Sequence, residues 1–358
     1  MPSLKEIKGR INSISSTLAI TSAMKMVAAA KLQKAQMAIQ NMLPYERRLY
    51  SMLVDLMGAM NISAAASEDG SVRGSGSAER GFAQSGDRLS LSNRHDLAGM
   101  DGAYSLMAQR EVRKVAIVAF ASNSSLCGAF NSNAIREATA VINEYRASGL
   151  GDADITVYSV GRKMAEAMKK LGFPSPADFT KMSDSPSYDA ASALAQELFD
   201  GFVSGRFDKV ELVYNHYKST SSQPTTRQTY LPLSLADATA DLQAGKIADS
   251  ASESDTNRGA EPVGAPVVRQ GSPTTEDLIV EPSKEALIAT LLPKVIRLRI
   301  FTTLLDSAAA EHAARTVAMQ LATDNGNDLL QELTLEYNKG RQQKITSEIL
   351  DLVGGSLQ

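Results

Sequence analysis

Residues 283–358 read as one continuous helix, and a helix of that length dictates much of what the remaining chain can be. Apolar side chains return at helical spacing through Leu287, Leu291, Val295, Leu298, Leu304, Leu305, Val317, Leu321, Leu330, Leu333, Tyr337, Ile345, Ile349 and Leu352. Ser283 is placed to cap the N-terminus, and Glu285 puts an acid in the first turn, where the helix dipole favours it. At 1.5 Å per residue such a segment is a rod of roughly 100 Å. No single core can bury it, so it needs a helical partner.

The partner lies at the other end of the chain. Leu4, Ile7, Ile11, Ile14 and Leu18 advance in alternating steps of three and four. The register passes through Thr21, Lys25 and Ala28, then resumes at Leu32, Ala35, Ile39 and Met42. Ser3 and Glu6 form a capping box, and the helix runs to about residue 60. Two terminal helices with a folded middle predict a long antiparallel coiled coil standing on a globular base. With the base ends level, paired positions sum to about 342, so Leu4 faces the neighbourhood of Asn338. The second helix then overhangs from about residue 339, by roughly 25 Å. Its last stretch, 349–358, carries a single charge, Asp351. An apolar helix tip of this kind needs something around it.

The middle alternates strands and helices. Strands are expected at 115–121, 155–160, 210–217 and 226–233, the last two as antiparallel neighbours, with a final strand at 277–281. Helices are expected at 131–146, 162–171 and 190–205. This is a small Rossmann-like α/β domain with a parallel portion. The chain therefore divides into a first coiled-coil helix (1–60), a linker or insertion (61–111), the α/β domain (112–235), a polar insertion (236–276), and a last strand with the second coiled-coil helix (277–358). The segments 64–100 and 236–275 are polar and poor in large apolar residues, and read as mobile or disordered.

The formal charge of −3 gives no basic surface for nucleic acid. Residues 1–50, however, hold eight Lys/Arg against Glu6 and Glu46, a net +6, which suggests an acidic or phosphate-rich partner. Cys127 is the only cysteine, which fits a reducing compartment. No stretch is a convincing membrane span, and Glu6 with the Ser/Thr-rich segment behind it argues against a signal peptide.

Nothing assembles a catalytic constellation. His95, His216 and His312 lie in a loop, a strand and a helix, with no second ligand at metal-binding spacing. Cys127 reads as a small buried residue after a tight turn. There is no Walker-type loop, and the strand–turn–helix of 120–134 reads as an ordinary turn rather than a phosphate cradle. No cofactor or metal is implied. Irregularities in the two helices are more telling. Small residues at 28–30, opposite 315–318 and near 308–310 and 313–314, predict a slender waist. Pro293 is expected to kink or loosen the second helix, and the 323–328 run TDNGND is a poor helix former at which propensity alone would end it.

Residues 17–37 (TLAITSAMKMVAAAKLQKAQM), 123–133 (NSSLCGAFNSN) and 311–353 together resemble the gamma-subunit family of F-type ATP synthases. Segments 64–100 and 236–275 and the Asn123-Ser124-Ser125 turn depart from the family pattern. The resemblance implies a non-catalytic central rotor shaft of a proton-transporting enzyme. It would lie within three alpha and three beta subunits, beside epsilon and on the membrane c-ring, at the cytoplasmic face of a bacterial inner membrane. It would transmit torque between the c-ring and the catalytic head and regulate ATP synthesis and hydrolysis. By the same resemblance Met24, Lys25 and Arg315 form a lower rotor–stator contact and Arg341, Gln342, Thr346 and Glu348 an upper one. Ile349, Leu350, Leu352 and Val353 would be the apolar bearing tip. The competing reading is an α/β enzyme carrying a coiled-coil arm.

Overall fold

The computed structural model describes residues 3–59, 106, 110–233 and 284–355. The expected cap at Ser283, the strand at 277–281 and both polar segments lie outside the described residues. Helix α1 spans Leu4–Ala59. The α/β domain follows as β1 (Val115–Phe120), α2 (Phe130–Ala147), β2 (Ile155–Val160), α3 (Arg162–Lys170), α4 (Thr180–Asp184), α5 (Tyr188–Val203), β3 (Lys209–Asn215) and β4 (Thr225–Leu231). Helix α6 runs unbroken over Lys284–Gly355, 72 residues.

The sheet order is β2-β1-β3-β4, with β2 and β3 parallel to β1 and β4 antiparallel to β3. The unbroken apolar run of β1 is explained by burial on both faces. Ala116, Val118 and Phe120 point toward α5 and the foot of the coiled coil, while Val115, Ile117 and Ala119 face α2 and α3. The first of these cores contains Leu49, Tyr50, Leu53 and Leu56 of α1 together with Ile288, Leu292, Val295, Ile296 and Ile300 of α6. Both long helices are thus rooted in the sheet, and the Tyr230 hydroxyl donates to the carbonyl of Ile296 at 3.0 Å. Gly161, at φ 100°, turns β2 into α3 so close to β1 that an added Cβ would sit 2.1 Å from the Ala121 carbonyl oxygen.

The other sheet face carries a buried ion cluster. Glu211, its side chain 2% exposed, accepts from Arg227 Nε at 2.7 Å, Lys209 Nζ at 2.8 Å and the Tyr145 hydroxyl at 2.6 Å. Burial pushes the Glu211 carboxyl up, but these three donors outweigh it and hold it below the usual range.

Above the base, every α1 seam position read from the sequence is buried or half-buried: Leu4, Ile7, Ile11, Ile14, Leu18, Thr21, Lys25, Ala28, Leu32, Ala35, Ile39 and Met42. Leu18 meets Gly326, Thr21 meets Thr323 and Leu4 meets Gly340. The predicted pairing is therefore right in direction and off by about two residues, Leu4 facing Gly340 rather than Asn338. On α6, Leu321 is not in the seam; it is 58% exposed, because Gln320 and Thr323 take the inward positions on either side of it.

The helix does not stop at 323–328. Local chemistry and the partner helix offset the poor propensity there. The Thr323 hydroxyl donates to the Met319 carbonyl at 2.8 Å, Gln320 Nε2 donates to both Asp324 carboxylate oxygens at 2.8 and 2.9 Å, and Leu18 packs on Gly326. Pro293 also sits inside the continuous helix, without ending it.

Candidate functional site: the waist and the overhang of the coiled coil

At the waist small side chains line the contact between the helices. Leu32 packs with Ala309 and Ala313, both fully buried, and Ala28 is 2% exposed. The polar seam residues above it are paired across the two helices: Lys25 Nζ donates to Gln320 Oε1 at 2.6 Å, and the hydroxyls of Thr21 and Thr323 are 3.2 Å apart. Met24, one residue before Lys25, is half-buried.

Arg315 turns inward to the β1–α2 turn. Its Nη1 lies 2.7 Å from Glu311, both side chains being about one-tenth exposed, and its Nη2 donates to Ser124 Oγ at 2.7 Å. Burial pushes the Glu311 carboxyl up, and Arg315 only partly counters this. The adjacent His312 has no hydrogen-bond partner for its buried Nδ1. Burial, with Arg315 and Lys31 nearby, pushes the ring down to about 4, so it is neutral at pH 7.

A second strut lies one turn lower. Asp306 accepts from the Tyr217 backbone N–H at 2.9 Å and pairs with His216 Nδ1 at 2.6 Å, while Gln36 of α1 donates to the Tyr217 hydroxyl at 2.6 Å. The end of β3 is thereby tied to both long helices. Sequence reasoning passed over Asp306, Glu311, Gln36 and Tyr217. The available signal was an acid, Asp306, set among the small and apolar residues that follow Leu304 and Leu305.

Beyond Gly340 the second helix has no packing partner among the described residues. Residues 341–350 and Leu352 are exposed on a regular helix. Arg341, Gln342, Thr346 and Glu348, expected at an upper contact, are exposed. Thr346 bonds back to the Gln342 carbonyl at 2.9 Å, and Glu348 lies 3.8 Å from Lys344. Ile349, Leu350 and Leu352 are 54, 65 and 75% exposed; the side chain of Val353 lies outside the described set. The seven residues expected at rotor–stator contacts therefore divide. Lys25 and Arg315 are engaged within the chain, Met24 is half-buried, and the four upper ones are exposed. Chemically the arrangement is a stiff rod with a polar collar and a greasy end. Among the described residues no cluster of His, Cys, Asp or Glu could hold a metal ion, and no helix is long and apolar enough to cross a membrane.

The family model described as ATP synthase matches residues 3–357. The ATP synthase gamma chain of Phocaeicola vulgatus is 47% identical over 357 residues, and that of Bacteroides thetaiotaomicron 45% over 358, each alignment covering all of both chains. The chain of similar shape in the Euglena gracilis mitochondrial ATP synthase OSCP/F1/c-ring assembly has a TM-score of 0.52 at 18% identity, covering 98% of this chain and 92% of that one; it supports the fold. The chain belongs to the ATP synthase gamma-chain family.

Proposed function

We propose that this chain is the central-stalk rotor of a proton-transporting F1Fo ATP synthase, a non-catalytic subunit of that enzyme. The observation that carries the reading is the helix beyond Gly340, unpartnered among the described residues, with Ile349, Leu350 and Leu352 exposed. Leaving large apolar side chains in water gains nothing, and enclosing them recovers about 25 cal/mol per Å² covered. A sleeve of three alpha and three beta subunits supplies that enclosure. The polar collar of Arg341, Gln342, Thr346 and Glu348 sits just below the tip, where it meets the sleeve's inner polar rim. The basic α1 helix faces acidic surfaces of the same ring.

The α/β domain is the foot, resting on the c-ring beside epsilon at the cytoplasmic face of a bacterial inner membrane. Rotation of the foot turns a rod whose cross-section is two helices low down and one helix at the top. Each of the three catalytic interfaces therefore sees a different face at a given angle, and a ligand-affinity difference follows from that differential contact. Torque and nucleotide affinity are coupled in both directions, which serves ATP synthesis and hydrolysis alike.

Purification of the tagged full chain from membranes, with identification of its companions, tests this. Alpha and beta chains in threefold excess over it, with epsilon and c, are the expected result. Recovery without alpha and beta overturns the reading. Removing residues 341–358 is expected to leave the foot folded while lowering coupled ATP synthesis in membrane vesicles.

A further inference from the structure

Helix α6 contains two interior glycines, Gly326 and Gly340, and both are sockets. A Cβ at 326 would stand 2.7 Å from Leu18 Cδ2 and 3.2 Å from its Cγ; one at 340 would stand 3.1 Å from Leu4 Cδ2. Gly9 of α1 is different: nothing lies within 4 Å of its missing side chain. Closeness at the α6 glycines is thus a property of these two places, not of helical glycine in general. The spacing is also matched. Positions 4 and 18 are separated by fourteen residues, as are 326 and 340, which is two heptads. Both leucines therefore drop into sockets on one face at the same time.

We infer that Leu18 on Gly326 and Leu4 on Gly340 are shear keys that stop the two helices of the upper coiled coil from sliding along each other. The seam between the base and these keys cannot do this alone. At the waist Leu32 rests on the short side chains of Ala309 and Ala313, which hold it less firmly than a glycine socket, and just above it the seam is made of Thr21, Lys25, Gln320 and Thr323, whose hydrogen bonds can be remade one turn away. Displacing α1 by a turn in either direction carries Leu18 from Gly326 towards Thr323 or Leu330, where a side chain already fills the seam. Two rods fixed at one end and free to slide bend and twist as separate rods. Keyed together near the free end, they deform as one thicker beam. The inference concerns the pair of helices themselves and does not depend on what surrounds them.

The test uses spin labels on the full chain, purified with whatever companions it carries. Exposed positions Lys5→Cys and Leu321→Cys are separated by about 27 Å along the axis, at 1.5 Å per residue. The spread of the label–label distance then reports sliding directly, with single-label controls for the buried Cys127. Leu18→Ala removes a knob and is expected to broaden the distribution about twofold. Ile14→Ala removes similar apolar bulk from a half-buried position of the same helix and is expected to leave the width unchanged. Leu18→Ala with Gly326→Leu puts the knob on the opposite helix and is expected to restore the narrow distribution. Equal broadening by Leu18→Ala and Ile14→Ala overturns the inference, and so does a folded double variant that stays broad. Should the double variant not fold, the comparison of the two alanine variants decides.

Discussion

The lower and upper parts of α6 are one helix in two solvents. From Ile288 to Leu304 the apolar positions Ile288, Leu292, Val295, Ile296, Leu298, Ile300 and Leu304 are at most 3% exposed, packed against the sheet, α5 and α1. From Ile345 to Leu352 the same residue types are 47–75% exposed. Helical periodicity is equally regular in both parts. Hydrophobic spacing therefore specifies that a side will be covered, without specifying whether the cover belongs to the same chain. Buried apolar surface is concentrated at the foot, and uncovered apolar surface at the tip.

The contrast can be broken most severely at the foot. Leu292→Ala is expected to lower unfolding free energy by about 3–4 kcal/mol, as for other large cavities in a tight core, measured by urea denaturation. Glu211→Ala, which takes the buried carboxylate away from Lys209 and Tyr145 and leaves Arg227 with Glu144 alone, is expected to cost about 2 kcal/mol in the same assay.

The waist is expected to give an intermediate, pH-dependent effect. The folded His312 sits at about 4, below its ordinary value, so the unfolded chain binds the proton first as pH falls. Its contribution is intact above about pH 6.5 and is lost on the way down through about pH 4. Access of solvent to part of the ring limits this loss to about 2 kcal/mol. Glu311 works in the opposite sense. Its raised carboxyl favours the fold when protonated, and that gain disappears as pH rises through its folded value. His312→Leu is therefore expected to flatten melting temperature against pH between 7 and 4.5. An unchanged slope would assign the acid sensitivity to other groups.

The smallest effect on the chain's own stability belongs to the tip. Ile349→Ala with Leu352→Ala is expected to move unfolding free energy by less than about 0.5 kcal/mol, while weakening recovery of alpha and beta chains with this one. A large stability loss would mean that the tip folds back on its own chain.

The fold was legible where a pattern is local or strictly periodic. The α1 seam, the doubly buried β1 and the antiparallel β3–β4 pair all follow from spacing read along the chain. What escaped was decided by partners far away in sequence. TDNGND looks like a helix end until Leu18 is laid on Gly326, and those residues are 308 positions apart. Arg315 looks like an outward charge until Glu311, one turn before it, and Ser124, 191 residues away, are seen to take it. Leu321 was misplaced because polar residues occupy the seam beside it, and an apolar count cannot detect that. Helix α4 is five residues long, too short to produce a period.

Pairing Leu4 with Gly340 also has a cost during synthesis. The first helix leaves the ribosome with Ile7, Ile11 and Ile14 uncovered, and its mate is made only after more than three hundred further residues. Closing so long a loop is slow, and the waiting surface is sticky. The apolar face of the first helix therefore stays uncovered until the residues that pack on it have been made.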